Sequence, residues 1–133
     1  MIVVSILMFV LALVVGVVSA LSLVGRLPRN RWAGVRTADS MRDDATFVTA
    51  NKVAGPTTAA AAVLLLVGGA AGVALTGAAA VVAVIASAIA ALVTAGAGGS
   101  IGARVAAATP AEDVGGCGHS CISCSLKDAC QPS

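Results

Sequence analysis

Residues 57–103 read TTAAAAVLLLVGGAAGVALTGAAAVVAVIASAIAALVTAGAGGSIGA, without one charged side chain. A helix crosses the roughly 30 Å hydrocarbon core of a bilayer in about 20 residues, rising about 1.5 Å per residue. This block is too long for one crossing and holds two, with a tight turn between them. Thr76-Gly77 is the best breakpoint, because glycine is the usual residue at a helix end. The spacing predicts helices over about 57–76 and 78–103, with Gly96 to Gly102 at the frayed or tightly packed end of the second. Toward the N-terminus, Ile2 to Val24 is also free of charge and makes a third span, over about 2–24. Val18-Ser19-Ala20 resembles a signal-peptide cleavage site. However, no Lys or Arg precedes the apolar run, and the run exceeds the ~7–15 residues of a signal core, so a retained helix is expected.

The composition points the same way. Of 133 residues, 59% are hydrophobic and 11% charged, against about 25% charged in an ordinary soluble domain. A disordered chain and a soluble enzyme are both excluded, and a net charge of +2 excludes a strongly basic nucleic-acid binder. The polar residues fall in two zones, a loop over 25–56 and a tail over 110–133. The expected fold is an all-α membrane protein: a three-helix transmembrane domain over 1–109, followed by a short, non-regular, Cys-rich tail.

Orientation follows from the basic residues. Arg26, Arg29, Arg31, Arg36, Arg42 and Lys52 all lie in the first loop, and none precedes the first helix or sits in the second turn. Positive charge stays on the cytoplasmic side. The expected topology therefore has the N-terminus outside and the loop and C-terminal tail inside, with Arg104 and Lys127 in agreement. Gly68-x-x-x-Gly72 and Gly98-x-x-x-Gly102 permit close helix contact, and packing of the second and third helices on each other is favoured over a dimer interface. Within the loop, Pro28 stops the first helix, and Trp32, the only Trp, suits the headgroup level. Asp39-Ser40 followed by Asp43 and Asp44 looks like a helix start. A short interfacial helix from about Met41 is expected to lead into the second span, with Pro56 kinking or opening its membrane part.

The string Pro28-Arg29-Asn30-Arg31-Trp32-Ala33-Gly34-Val35-Arg36-Thr37, followed by Phe47-x-x-x-Asn51, resembles the SdpI membrane protein family. There a PxNxxxGxRT-type loop joins the first two helices and a W-x-x-x-N element opens the second; this chain has Phe47 in place of that Trp. The resemblance implies a non-enzymatic protein of the bacterial plasma membrane. Family members confer immunity against a secreted peptide toxin, and at least one captures a transcriptional repressor at the membrane. On that resemblance, Asn30, Trp32, Gly34, Arg36, Thr37 and Asn51 form the partner-recognition surface or its scaffold. The alternative role for such a Gly-x-Arg-Thr turn is to satisfy backbone groups and anchor the loop on lipid phosphates, at about 1 kcal/mol per Arg.

All four cysteines lie in the tail, as Cys117-x3-Cys121-x2-Cys124-x5-Cys130, with His119 as an alternative ligand and Gly115, Gly116 and Gly118 to let the chain bend back. Soft thiolates select zinc, copper(I) or iron–sulfur clusters. Four of them close a tetrahedral zinc site or hold an iron–sulfur cluster. Two disulfides would need an oxidising compartment, and a tail with free thiols is the plain alternative.

Other chemistry is absent from the sequence. His119 is the only His, the acidic residues lie outside the spans, and no glycine-rich stretch is followed by the Lys-Ser/Thr of a phosphate loop. One Trp, two Phe and no Tyr supply no stacking platform for nucleic acid. The leading expectation is a membrane protein that works by binding: immunity, sensing or partner capture. The alternative is a small accessory subunit of a larger membrane complex, respiratory for example, with the tail as its docking or redox element.

Overall fold

The structure is a computed structural model that describes residues 1–30 and 32–110; the cysteine cluster lies outside the described residues. Three helices follow one another: α1 (Ile2–Leu23), α2 (Asp44–Ala74) and α3 (Gly77–Ala108). Each is long and apolar enough to cross a membrane, and there is no strand among the described residues. The break between α2 and α3 falls at Leu75 and Thr76, both in extended conformation, and Gly77 opens α3 at φ +61°. The turn is where the sequence places it, although Gly77 begins a helix and does not end one.

Two boundaries differ from expectation. α2 begins at Asp44, well before residue 57, and α3 continues through Arg104 to Ala108, past residue 103. No separate interfacial helix starts at Met41, because residues 38–41 form a turn. The cap of α2 is Asp43, whose Oδ1 accepts the Thr46 N–H at 2.6 Å, while Ser40 is used in the turn. The helix also continues without a break through Pro56. A proline inside a helix removes one backbone donor. Here hydroxyls crowd the neighbouring carbonyls: Thr57 Oγ1 donates to Ala54 O at 2.8 Å, and Thr58 Oγ1 and Ser19 Oγ donate to Gly55 O at 2.8 and 2.9 Å. These hydroxyls bond the carbonyls of Ala54 and Gly55, whereas the carbonyl that Pro56 leaves without its helical N–H is that of Lys52, four residues back.

α2 is the central helix and packs against both α1 and α3. The interior is made of small residues around Met8, Leu65 and Val84, with Ala12, Ala61 and Ala91 between them. Ile2, Leu7, Leu13, Val82, Leu92 and Val93 point outward and are more than half exposed. Apolar residues outside and Ala, Gly and Ser inside is the arrangement that lipid favours, because lipid tails are as apolar as Leu and helices associate by close packing. The two glycine pairs take part directly. A Cβ at Gly68 would overlap Ser87 of α3 and Met8 of α1; one at Gly72 would meet Ser5 of α1 and Val84 of α3. A Cβ at Gly98 would overlap Thr57, and one at Gly102 would lie 2.6 Å from the Ala50 carbonyl oxygen. Both pairs are spent on packing within the chain.

The helices differ in length, and that difference makes room for the loop. At ~1.5 Å per residue, α1 is about 33 Å long, whereas α2 and α3 approach about 47 Å. α1 ends where Leu23 packs on Gly55. The first turns of α2 therefore extend beyond α1, and the loop between α1 and α2 lies against them in its place.

Candidate functional site

The loop is built from local polar turns laid on an aromatic base. Gly25, at φ +67°, turns the chain out of α1, and Leu27 follows it into a buried position. Asn30 then organises the next turn with its own side chain. Its Nδ2 donates to Pro28 O at 2.7 Å, and its Oδ1 accepts the N–H groups of Trp32 and Ala33 at 2.8 and 2.7 Å. Asn is suited to this because its amide mimics a backbone turn. The result is to hold Trp32 outward, 90% exposed.

Gly34 and Asn51 form a latch between loop and helix. Gly34 has φ +96°, where side chains are disfavoured, and a Cβ there would overlap the Asn51 amide. Asn51, 2% exposed, accepts the Val35 N–H at Oδ1 (2.6 Å) and donates from Nδ2 to Phe47 O (2.8 Å). Phe47 sits one helical turn earlier and is fully buried beneath the loop. The aromatic-x-x-x-Asn spacing thus places base and latch on one face of α2. Past the latch, Arg36 is exposed and makes an interaction of its own. Thr37 and Ser40 close the last turn: Ser40 Oγ accepts the Thr37 N–H at 2.8 Å, Thr37 Oγ1 accepts the Ser40 N–H at 3.1 Å, and Ser40 Oγ donates to Val35 O at 2.9 Å.

Charged groups then tie the loop to both long helices. Arg29 pairs with Asp44 at 3.1 Å and donates to Met41 O at 3.0 Å. Arg42 donates to Thr109 O at 2.9 Å, so a cation sits at the C-terminal end of α3, where the helix dipole favours it. The Thr46 N–H and hydroxyl, then the Arg42 guanidinium, hold the Asp43 carboxyl below its ordinary range. The loop, the start of α2 and the end of α3 are therefore fixed to one another at one end of the bundle.

Beside the latch lies a crevice of about 370 Å³. Its walls are Val14 and Val18 of α1 and Ala95 and Gly99 of α3, with Ala54 and Thr58 of α2 as the floor and Trp32 to Val35 as the roof.

The SdpI/YfhL protein family matches residues 26–97, more than half of the chain and nearly all of the loop. The chain belongs to the SdpI/YfhL family. The match begins just after α1, so the family's share is the loop, α2 and most of α3. No curated protein and no solved structure matches the chain. The SdpI/YfhL family is not a known enzyme family, and the helices make this member a multi-pass membrane protein.

Of the residues expected at the site, Asn30, Gly34, Thr37 and Asn51 spend their polar atoms or their shape on holding the loop; Trp32 and Arg36 face outward. Cys117, Cys121, Cys124 and Cys130 lie outside the described residues. Sequence reasoning missed Ser40 as the partner of Thr37, and Arg29 and Arg42 as ties. Thr-x-x-Ser spacing signals such a turn weakly, and nothing in a sequence reveals that an Arg will meet a carbonyl 67 residues away.

Proposed function

We propose that this SdpI/YfhL member acts by binding a protein partner at its loop face and performs no catalysis. The supporting observation is the division of labour in the loop: buried groups fix the backbone, and the frame leaves Trp32 and Arg36 exposed. Trp and Arg are the residue types that most often dominate binding energy at interfaces. In this reading the loop side is the cytoplasmic side of a bacterial plasma membrane, supported by the five arginines of the loop, Lys52 in the early turns of α2 and the positive-inside rule. The partner class follows from the family resemblance: a peptide toxin to which the protein gives immunity, or a regulator it holds at the membrane.

The Cys-rich tail, residues 110–133, is a second functional unit in this reading, on the cytoplasmic side by the positive-inside rule. Its Cys117, Cys121, Cys124 and Cys130 bind an iron–sulfur cluster or zinc. Anaerobically purified protein is expected to carry stoichiometric iron or zinc that disappears in a Cys121→Ser, Cys124→Ser double variant; equal metal in both proteins refutes the site.

The loop reading is tested in a strain lacking the gene, challenged with secreted peptide toxins and complemented with wild type or Trp32→Ala. Wild type is expected to restore resistance and Trp32→Ala to fail at equal membrane abundance. Unchanged sensitivity on deletion removes immunity. Stable co-migration with a large complex in mild detergent would favour the accessory-subunit reading in its place.

A further inference from the structure

Trp32, the only Trp, combines two properties that rarely go together. It is 90% exposed, more than any other large apolar side chain among the described residues; the next, Leu92, belongs to a membrane-crossing helix. Yet Trp32 also lines the crevice beside the latch, facing Val14, Val15 and Val18 of α1 and Ala95 and Gly99 of α3. The space measures about 370 Å³, and an apolar cavity of about 150 Å³ already holds a benzene ring. An indole therefore fits. No hydrogen bond among the described residues holds the indole N–H in its outer position. The Asn30 side chain fixes the backbone N–H groups of Trp32 and Ala33, so the roof can stay in place while the ring turns about its own single bonds.

The polar groups of the lining narrow the choice of occupant. Ser22 Oγ donates to Val18 O at 2.8 Å, and Thr58 Oγ1 donates to Gly55 O at 2.8 Å. The Asn51 amide oxygen is committed to the latch. Each hydroxyl has spent its one proton and keeps oxygen lone pairs, so the crevice offers acceptors in an apolar wall. An acyl chain fills such a space but brings no donor. A tryptophan side chain brings an apolar body and one N–H, which takes an acceptor when buried. We infer that Trp32 is a lid: its indole swings between the exposed position and the crevice, where the ring packs on the valines of α1 and its N–H meets a hydroxyl oxygen of Ser22 or Thr58. With the lid shut the loop face loses its one aromatic anchor, so the crevice and a partner compete for the same side chain. That consequence rests on the loop face being the partner surface proposed above; the swing itself does not, and its test uses no partner.

Because the chain has a single Trp, its fluorescence reports this ring alone. Full-length protein is placed in phosphatidylcholine nanodiscs, one copy per disc, so that no second chain takes up the ring and both faces meet acrylamide in the water. A Cβ at Gly99 meets nothing within 4 Å, so Gly99→Leu grows into the crevice and excludes the indole. Wild-type Trp32 is expected to be quenched severalfold less than Trp32 in Gly99→Leu and to emit further to the blue. Gly96→Leu, equally free of neighbours but outside the crevice, is expected to match the wild type. The Ser22→Ala, Thr58→Val double variant adds no volume and removes both acceptors; its quenching is expected to rise toward that of Gly99→Leu at unchanged helical content. Wild-type quenching as strong as in Gly99→Leu overturns the proposal, since the ring then stays outside and leaves the crevice to an acyl chain. Equal shielding in both overturns it as well, because the ring then rests in the headgroup layer. So does a double variant that is quenched no more than the wild type.

Discussion

The two ends of this bundle hold together by different physics. At the α2–α3 turn end, Met8, Gly68, Gly72 and Ser87 touch through small surfaces, and the buried Ser5 hydroxyl has no hydrogen-bond partner among the described residues. At the loop end, nearly every feature is a polar bond with a direction: Asn30 to two N–H groups, Asn51 to Val35, Thr37 to Ser40, Arg42 to Thr109. In hydrocarbon, close packing is the available attraction between helices. Outside it, backbone groups of an irregular loop require partners, and the side chains here supply them. The first end should tolerate the loss of a hydroxyl and resist changes of volume. The second should show the reverse.

The largest loss is expected where the two regimes meet. Gly102 lies against the Ala50 backbone oxygen and near Val35 of the loop, and a backbone atom cannot rotate away. Gly102→Val should cost toward the upper end of the ~1–3 kcal/mol typical of overpacking, read as a lower unfolding midpoint in detergent. Asn51→Leu should come next. It strips the Val35 N–H of its partner, and a buried unsatisfied donor costs about 1–3 kcal/mol. Hydrogen exchange at Val35 should accelerate while exchange at Leu65, deep in the bundle, stays slow. Equal acceleration at both would mean that the latch and the bundle are one cooperative unit.

A smaller effect belongs to Asp43 and depends on pH. Its carboxyl is held below the ordinary value of 3.8, so the folded state favours the charged form. The sign follows: its contribution is complete above that ordinary value and is lost as pH falls through the lowered one. Asp43→Asn keeps a capping side chain and should change little at neutral pH, while flattening the acid limb of the stability curve between about pH 2 and 5. An unchanged acid limb would show that other carboxylates govern it. The smallest effects separate two serines of α1. Ser19→Ala removes the bond to Gly55 O and should cost about 0.6 kcal/mol, the average for such bonds in membranes. Ser5→Ala removes an unpartnered hydroxyl and should cost nothing or stabilise slightly. Equal losses would mean that hydroxyl volume, and not bonding, is what the bundle uses.

These contrasts also mark how far the sequence could be read. Hydropathy located all three helices and the Thr76-Gly77 break, because crossing a bilayer demands a fixed length of uncharged chain. It misjudged where α2 begins. Asp39-Ser40 and Asp43-Asp44 both look like caps, and Pro56 looks like a boundary. Choosing between them required knowing that Ser40 bonds Thr37, which leaves the cap to Asp43. The loop motif was legible as a resemblance, yet its members divide into supports and presented residues only once Asn51 is seen beneath Gly34.

By itself, then, the sequence determined the membrane class, the number of spans, the family and the concentration of positive charge in a single loop. Each of these depends on composition along a segment, and no distant partner is needed to compute it. Tertiary structure decided which glycines are contacts, that α2 runs on past Pro56, which loop residues face outward, and that a crevice lies beneath them. Those outcomes depend on atoms brought together from helices far apart in the chain, and a linear pattern carries no record of which of them meet.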